Sequence, residues 1–205
     1  MVHSDDDGLV LPPYVAPIQV VIVPIMQKKT QVLEKCQEIY DSLNENYKVK
    51  LDDSNNTPGF KFSEYEMKGV PIRIEIGPRD LEKNQCVLVR RDTREKTITS
   101  LENLNYKIKA MLADIHNSMY EKALNNLKEK THVAKNHDEF LKIAKTKPGF
   151  IKAMACGDPA CEEKLKEETG GFKSRCIPFK QEHIADTCVC CGKKAKYQLY
   201  FGKQY

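Results

Sequence analysis

The chain has 205 residues, enough for one large domain or two small ones. It is 40% hydrophobic and 30% charged, and its net charge of +4 permits binding to a polyanion without indicating it. No apolar run reaches the roughly 18 residues of a membrane span, and the acidic start MVHSDDD lacks the features of a secretory signal, so we expect a cytoplasmic protein with reduced thiols and no membrane partner.

The apolar pattern of the first part of the chain predicts strands alternating with helices. The continuous run IQVVIVPI (18–25) predicts a strand buried on both faces, and residues 29–46 show helical periodicity. YKVKL (47–51) alternates as a strand does. SNNTPGF (54–60) has turn composition, and FSEYEMKG (62–69) predicts a short helix.

The pattern continues through PIRIEIG (71–77), which alternates strictly and predicts a strand with its isoleucines inward. GPRD predicts a turn into a short helical segment, in which Pro78 sets the turn. QCVLVRRD (85–92) and KTITS (96–100) predict a strand pair, and residues 101 to about 130 a long amphipathic helix. This order predicts an α/β fold, a mixed sheet flanked by helices, followed from about residue 131 by a smaller α+β unit.

The cysteines mark that second unit, because six of the eight lie between Cys156 and Cys191. CGDPAC and CVCC are two short cysteine turns separated by a few tens of residues, a spacing that predicts a tetrahedral zinc site. A C-x-x-C turn pairs Cys188 with Cys191, whereas a C-x-C turn would use Cys190. We favour Cys156, Cys161, Cys188 and Cys191 as ligands, and four thiolates make the zinc structural, with no open position for water.

The cysteines also allow an interpretation without a metal ion. Disulfides or buried thiols would also use these residues, although a reduced compartment disfavours disulfides. Cys176 lies in the apolar stretch SRCIPF and is predicted to be a core thiol, as are Cys36 and Cys86. Gly157 and Gly192 each follow a candidate ligand, where a tight turn needs a permissive backbone.

Catalytic motifs are missing from the sequence. It contains no GxxxxGK[ST], GxSxG, HExxH or GxGxxG pattern, and its five histidines form no ligand-like pair. The stretch richest in chemistry is PGFKFSEYEMKGVPIRIEIGPRD (58–80), which mixes aromatic residues with both signs of charge. This composition suits recognition better than covalent catalysis.

That stretch, together with GLVLPPYVAPIQVVIVPI, VRRDTREKT and the ending YFGKQY, resembles the prolyl-tRNA synthetases. More narrowly, it resembles the eukaryotic and archaeal type of this class II family, which carries a zinc-binding domain after its anticodon-binding domain. The resemblance implies that residues 1–16 end a catalytic domain, 17–130 form the anticodon-binding domain and 131–205 the C-terminal zinc-binding domain.

The resemblance also sets expectations for activity. The first two class II motifs and the arginine of the third are not in this sequence, so we expect the chain to be inactive alone. The full enzyme would be a homodimeric proline–tRNA ligase that uses ATP and Mg, with tRNA(Pro) and the catalytic domain as partners of this part. Tyr205 matches the family's terminal tyrosine, whose carboxylate approaches the catalytic domain.

The resemblance further implies that the first domain recognises the guanines of the proline anticodon. Guanine offers N1–H and N2–H donors and an O6 acceptor, which a carboxylate and a cation complement. Glu66 and Arg73 match the family positions for these roles, and Phe62 is placed to stack on a base. The further candidates for contacts with bases or phosphates are Lys96, Arg90 and Arg91.

Other interpretations stay open. Glu66 could belong to a solvated helix face, Arg73 and Glu75 could form an exposed strand pair worth little, and Phe62 could be a core residue. At the level of the whole chain, one alternative is a free-standing RNA-binding accessory protein with a natural start at Met1. Another is a structural module that supports the catalytic domain through zinc and the tail.

Overall fold

The computed structural model describes residues 3–26 and 31–203. The chain divides into two compact units, Met1–Glu121 and Lys122–Tyr205. The boundary falls inside the helix Leu104–Glu129, whose end the sequence pattern predicts at about residue 130. Tyr205 lies outside the described residues.

The first unit alternates strands and helices as the apolar pattern predicts. Its elements are β1 (Ser4–Asp5), β2 (Gly8–Leu9), β3 (Val20–Pro24), α1 (Val32–Asn44), β4 (Val49–Leu51), α2 (Pro58–Met67), β5 (Ile72–Ile76), α3 (Pro78–Glu82), β6 (Gln85–Arg90), β7 (Lys96–Ser100), a 3-10 turn (Leu101–Asn103) and α4 (Leu104–Glu129). The main sheet has the order β4-β3-β5-β6-β7. β3 pairs in parallel with β4 and β5, whereas β5, β6 and β7 pair antiparallel, so the predicted mixed sheet is confirmed.

One face of this sheet carries the main core. Isoleucine, valine and leucine side chains from β3, β5 and β6 pack there with the buried positions of α1 and α4. Cys36 and Cys86 lie in this core and are fully buried, as predicted. Burial raises the pKa of both thiols to about 12, which makes them inert apolar residues rather than nucleophiles.

Helix α2 lies on the opposite face and begins earlier than predicted. Residues 58–60 belong to the helix rather than to the expected turn, because the side chain of Thr57 accepts a hydrogen bond from the backbone N–H of Phe60. Pro58 occupies the first helical position, where its missing N–H has no cost. The strand β5 between the two layers is buried along its whole length.

In its described residues, the second unit contains the end of α4, a four-stranded sheet and two further helices. Its elements are β8 (Thr131–Val133), α5 (His137–Thr146), β9 (Phe150–Ala155), α6 (Pro159–Thr169), β10 (Phe172–Cys176) and β11 (Tyr197–Lys203). The sheet order is β10-β11-β9-β8. Phe140 packs edge-on against Phe172 and Phe201 in the core between α5 and the sheet.

The prediction of a core thiol at Cys176 is wrong. Cys176 ends β10, which is an edge strand, and it is exposed. The apolar residues that follow it are also outside the core, with Ile177 58% exposed and Phe179 fully exposed. Among the described helices, none combines the length and the apolar character that crossing a bilayer requires.

Candidate functional site

Two of the predicted recognition residues, Arg73 and Lys96, lie on the face of the main sheet that α2 partly covers. The strand register places Arg73 of β5 beside Val89 of β6, and Val89 beside Lys96 of β7, so all three side chains share that face. Helix α2 packs mainly over β3, through a cluster of Val21, Val23, Tyr65 and Val70. The part of the face formed by β6 and β7 stays open, and Ile98 there is 65% exposed.

At the border between covered and open sheet, Phe62, Glu66 and Arg73 come together. Nη1 of Arg73 donates to Oε1 of Glu66 at 2.7 Å, and the Phe62 ring lies 4.1 Å from the guanidinium carbon. The Glu66 side chain is 36% exposed, whereas that of Arg73 is 8% exposed. The carboxylate therefore faces outward from a buried cation, so an exposed strand pair is excluded for Arg73.

Glu75 also belongs to this cluster, although the sequence reasoning named it only as a possible exposed strand partner of Arg73 and not as a site residue. Its Oε1 accepts from Nε of Arg73 at 3.0 Å, and its Oε2 lies 3.7 Å from Nζ of Lys96. The signal was present, because residues two apart on a strand point to the same face. We call Phe62, Glu66, Arg73, Glu75 and Lys96 the recognition cluster.

The space beside the recognition cluster is small. A crevice of about 10 Å³ is lined by residues of α2, β5 and β6, among them Glu66, Arg73 and Val89. That volume holds about one water molecule. A ligand would therefore meet the cluster at the surface of the sheet, which suits the edge of a flat group better than an enclosed small molecule.

The two remaining candidates, Arg90 and Arg91, already have carboxylate partners. Arg90 donates to both oxygens of Asp92 at 3.0 and 2.8 Å and also pairs with Asp114 of α4. It lies opposite Ile72 in the sheet, on the face away from Glu66. Arg91 is only 3% exposed in its side chain and pairs with Asp5. RNA contacts by Arg90 and Arg91 stay predictions.

Helix α2 is held in place by a buried ion pair. Nζ of Lys61 lies 3.3 Å from Oδ1 of Asp52 and donates to the backbone oxygen of Asp52 at 2.7 Å. The two side chains are 2% and 7% exposed. Burial raises the pKa of Asp52, but hydrogen bonds from Ser54 and Tyr65, together with the charge of Lys61, outweigh it and lower that pKa below its ordinary value.

In the second unit, four cysteines form a group that fits a metal ion. The sulfur atoms of Cys156, Cys161, Cys188 and Cys191 all lie within 4.8 Å of one another. Cys156 Sγ is 3.7 Å from Cys161 Sγ and 3.8 Å from Cys191 Sγ. A tetrahedron with Zn–S bonds of about 2.3 Å has S–S edges of about 3.8 Å, so the donor set matches zinc in chemistry and size.

Three local features produce this convergence. Cys156 directly follows β9, and Cys161 lies in the first turn of α6, where Asp158 caps the helix. Cys188 and Cys191 lie in a turn closed by a hydrogen bond from Gly192 N–H to the Cys188 oxygen at 3.0 Å. The segment before this turn is tied to β11, because Gln198 bonds with both Gln181 and Glu182.

The turn also distinguishes the adjacent cysteines. Cys190 packs against the apolar core of the second unit, while Cys191 faces the other three sulfurs. Burial raises the pKa of Cys188, but backbone N–H groups of Cys191 and Cys190 outweigh it and lower the value to about 7. Gly157 and Gly192 have φ of 82° and 70°, the left-handed backbone expected after each ligand candidate.

Comparison with known proteins follows the same division. Residues 19–111 match the family model described as anticodon binding domain, and residues 137–205 match the one described as prolyl-tRNA synthetase, C-terminal. The chain is 60% identical to a proline–tRNA ligase of Clostridium botulinum (strain Loch Maree / Type A3) and 59% identical to one of Clostridium novyi (strain NT). It is 58% identical to proline–tRNA ligase 2 of Bacillus cereus (strain ZK / E33L).

Each of these matches covers 100% of this chain and 43% of the relative. The chain therefore spans less than half the length of the curated relatives that it matches. These relatives are bacterial, so the resemblance to the eukaryotic and archaeal type describes domain composition and not source.

Proposed function

The chain belongs, by its anticodon-binding domain and its C-terminal domain, to the prolyl-tRNA synthetases, and we propose that it recognises the anticodon of tRNA(Pro). The observation that carries this proposal is the Glu66–Arg73 pair at 2.7 Å on the border of an open sheet face. RNA sequence is recognised best on splayed, single-stranded bases, by stacking and by hydrogen bonds to base edges.

The pair offers the two chemistries that a guanine edge requires. Glu66 accepts from N1–H and N2–H, and Arg73 donates to O6. In the free protein the two side chains satisfy each other, and guanine replaces each partner with an equivalent one. Phe62 supplies an aromatic surface beside them, and Lys96, 59% exposed in its side chain, is free to approach a base or a phosphate on the open face.

The test is binding of the purified chain to tRNA(Pro) and to the same tRNA with its two anticodon guanines replaced, at two salt concentrations. We expect a loss of about 1–3 kcal/mol for each guanine. Phosphate contacts alone are salt-sensitive and blind to sequence. Equal affinity for both RNAs would overturn the proposal and leave the chain as a charged or structural module.

Two substitutions on α2 test whether Glu66 of the recognition cluster is responsible for the preference for guanine. Glu66→Gln keeps the shape of the side chain but removes the acceptor charge, so it should abolish most of the guanine preference. Glu64→Gln is the matched control, because Glu64 lies on the same helix and pairs with Lys68 at the surface. If both variants change RNA binding equally, the effect is one of net charge and not of base recognition.

For the second unit we propose a structural zinc ion held by Cys156, Cys161, Cys188 and Cys191. Zinc would supply a cross-link between the end of β9, the start of α6 and the turn before β11, and four thiolates leave it no catalytic position. The S–S distances of 3.7 and 3.8 Å support this assignment.

For the whole enzyme we propose ATP- and Mg-dependent attachment of proline to tRNA(Pro), in a cytoplasmic homodimer. Within this chain, residues 1–16 would end the catalytic domain, 17–130 would form the anticodon-binding domain, and 131–205 the zinc-binding domain. The catalytic domain would be the partner of this part. The isolated chain should not aminoacylate tRNA, and a rate above background that survives repurification would contradict this.

A further inference from the structure

The guanidinium group of Arg91 is fully engaged within the protein. Its Nη1 and Nη2 donate to the two carboxylate oxygens of Asp5 at 2.7 and 2.6 Å, in a bidentate pair. Its Nε donates to the backbone oxygen of Glu66 at 2.9 Å. With its side chain 3% exposed, Arg91 presents no donor to an RNA at the surface.

Arg91 also connects the two elements that carry the guanine-recognising pair. Its side chain holds the last turn of α2 at Glu66, and its backbone N–H donates to the oxygen of Pro71 at 3.0 Å, directly before β5. Glu66 and Arg73 are thereby fixed relative to each other through a third residue. A side chain that must meet a base edge within tenths of an ångström depends on such support.

The hairpin of β1 and β2 completes this support. Gly8 lies so close to α2 that a Cβ there would be 2.4 Å from the Cα of Met67, the residue after Glu66. Its φ of 132° also requires glycine. Asp5 therefore belongs to a segment in backbone contact with the end of α2. The hydrogen bonds from Arg91 lower the pKa of the Asp5 carboxyl below its ordinary value, which favours the charged pair.

We propose that Arg91 and Asp5 are positioning residues for anticodon recognition, which hold Glu66 in place without contacting RNA. This inference rests on the proposed function, since it concerns the same site. It also gives Arg91 a different role from the direct RNA contact that the sequence predicts.

A general electrostatic effect and a positioning role predict changes in different quantities for one substitution, the affinity for every RNA and the ratio of affinities respectively. Asp5→Asn removes a negative charge, so simple electrostatics predicts tighter binding to every RNA. Positioning predicts that the ratio of affinities for tRNA(Pro) and the guanine-replaced tRNA falls about tenfold, toward the lower end of what one specific base contact contributes. Asp6→Asn removes the same charge from the same turn, where Asp6 is exposed, and should leave the ratio unchanged.

Arg91→Lys provides a second measurement. It keeps the charge but cannot bind Asp5 bidentately while also reaching Glu66, so the affinity ratio should fall while the slope of log affinity against log salt stays constant. A direct phosphate contact by Arg91 predicts instead that Arg91→Gln lowers that slope by about one at an unchanged ratio. Both affinities in a ratio are measured on the same protein preparation. A variant that is only partly folded therefore lowers both apparent affinities equally, and the ratio does not change.

The outcomes separate the two proposals. If the wild-type chain distinguishes the two RNAs and Asp5→Asn and Arg91→Lys give the same affinity ratio as wild type, only the positioning role is overturned. A wild-type chain with no preference overturns the proposed function and this inference with it.

Discussion

Replacing Lys61 with methionine should destabilise the first unit by about 3 kcal/mol. The substitution keeps the apolar stem and removes the ammonium group, so Asp52, 7% exposed in its side chain, is left buried without its cation. Breaking a buried pair costs about 3–5 kcal/mol. The lower end applies here, because Asp52 keeps its hydrogen bonds from Ser54 and Tyr65.

The assay is thermal and urea unfolding followed by circular dichroism. With an unfolding entropy of about 2.1 cal/mol/K per residue over roughly 120 residues, a loss of about 3 kcal/mol lowers the Tm of the first unit by about 12 °C. The transition of the second unit should not shift, since the pair lies wholly in the first. Lys68→Met is the control, because the Lys68–Glu64 pair is at the surface and should cost at most about 1 kcal/mol.

A double variant tests the reason for the loss. Lys61→Met combined with Asp52→Asn removes both charges and should be more stable than Lys61→Met alone, since no uncompensated carboxylate remains. A Lys61→Met loss below about 1 kcal/mol, or a double variant less stable than the single one, would refute the reasoning that charge burial dominates at this site.

Three further predictions follow from the same structure. Burial raises the pKa of Asp52, but hydrogen bonds from Ser54 and Tyr65 and the charge of Lys61 outweigh it and lower the value below that of an ordinary aspartate. The stabilising contribution of Asp52 is therefore complete at neutral pH and is lost as its carboxyl protonates in acid, so the stability difference between wild type and Asp52→Asn should shrink in urea titrations below about pH 4. A difference that grows in acid would contradict this prediction. We expect atomic emission to find one zinc ion per chain, and Cys188→Ser should abolish that zinc and lower the Tm of the second unit, whereas Cys176→Ser at the exposed edge should change neither. Gly157→Ala should destabilise the protein by about 1–2 kcal/mol, because φ is 82° and the new Cβ would lie 3.1 Å from the Tyr197 ring. Gly59→Ala, in open space on helix α2, should stabilise it by about 0.5–1 kcal/mol. If both substitutions changed the free energy of unfolding in the same direction, the conformational argument would be refuted.

Periodicity was sufficient for most of the fold. The buried run 18–25, the helical periodicity of 29–46 and the alternation at 71–77 each carry a signal within one element, so a local pattern predicts them. Residues 29 and 30 of the predicted helix lie outside the described residues, and the helix covers Val32–Asn44. The early start of α2 also had a signal, the Thr57–Pro58 cap, but turn composition around it outweighed that signal in our prediction.

Contacts distant in sequence were not predictable in this way. Asp5 and Arg91 are 86 positions apart, and nothing near either residue indicates the other. The exposure of Cys176 likewise depends on β10 being an edge strand, which is a property of the sheet order and not of the stretch SRCIPF. Such features require the tertiary structure, since local propensity and composition carry no information about them.

The charged positions of β5 show the same limit and also explain how the site works. Strict alternation in 71–77 predicts one polar face, but it does not say whether water or a helix covers that face. Here α2 covers it, so the side chains of Arg73 and Glu75 are 8% and 9% exposed. They lie within a network of two carboxylates, Glu66 and Glu75, and two cations, Arg73 and Lys96. Because the charges balance, a guanine edge can replace the Glu66–Arg73 contact without leaving an unpaired buried charge. A base with donors and acceptors in other positions would leave one of them unpaired, and that cost is the physical source of the proposed selectivity.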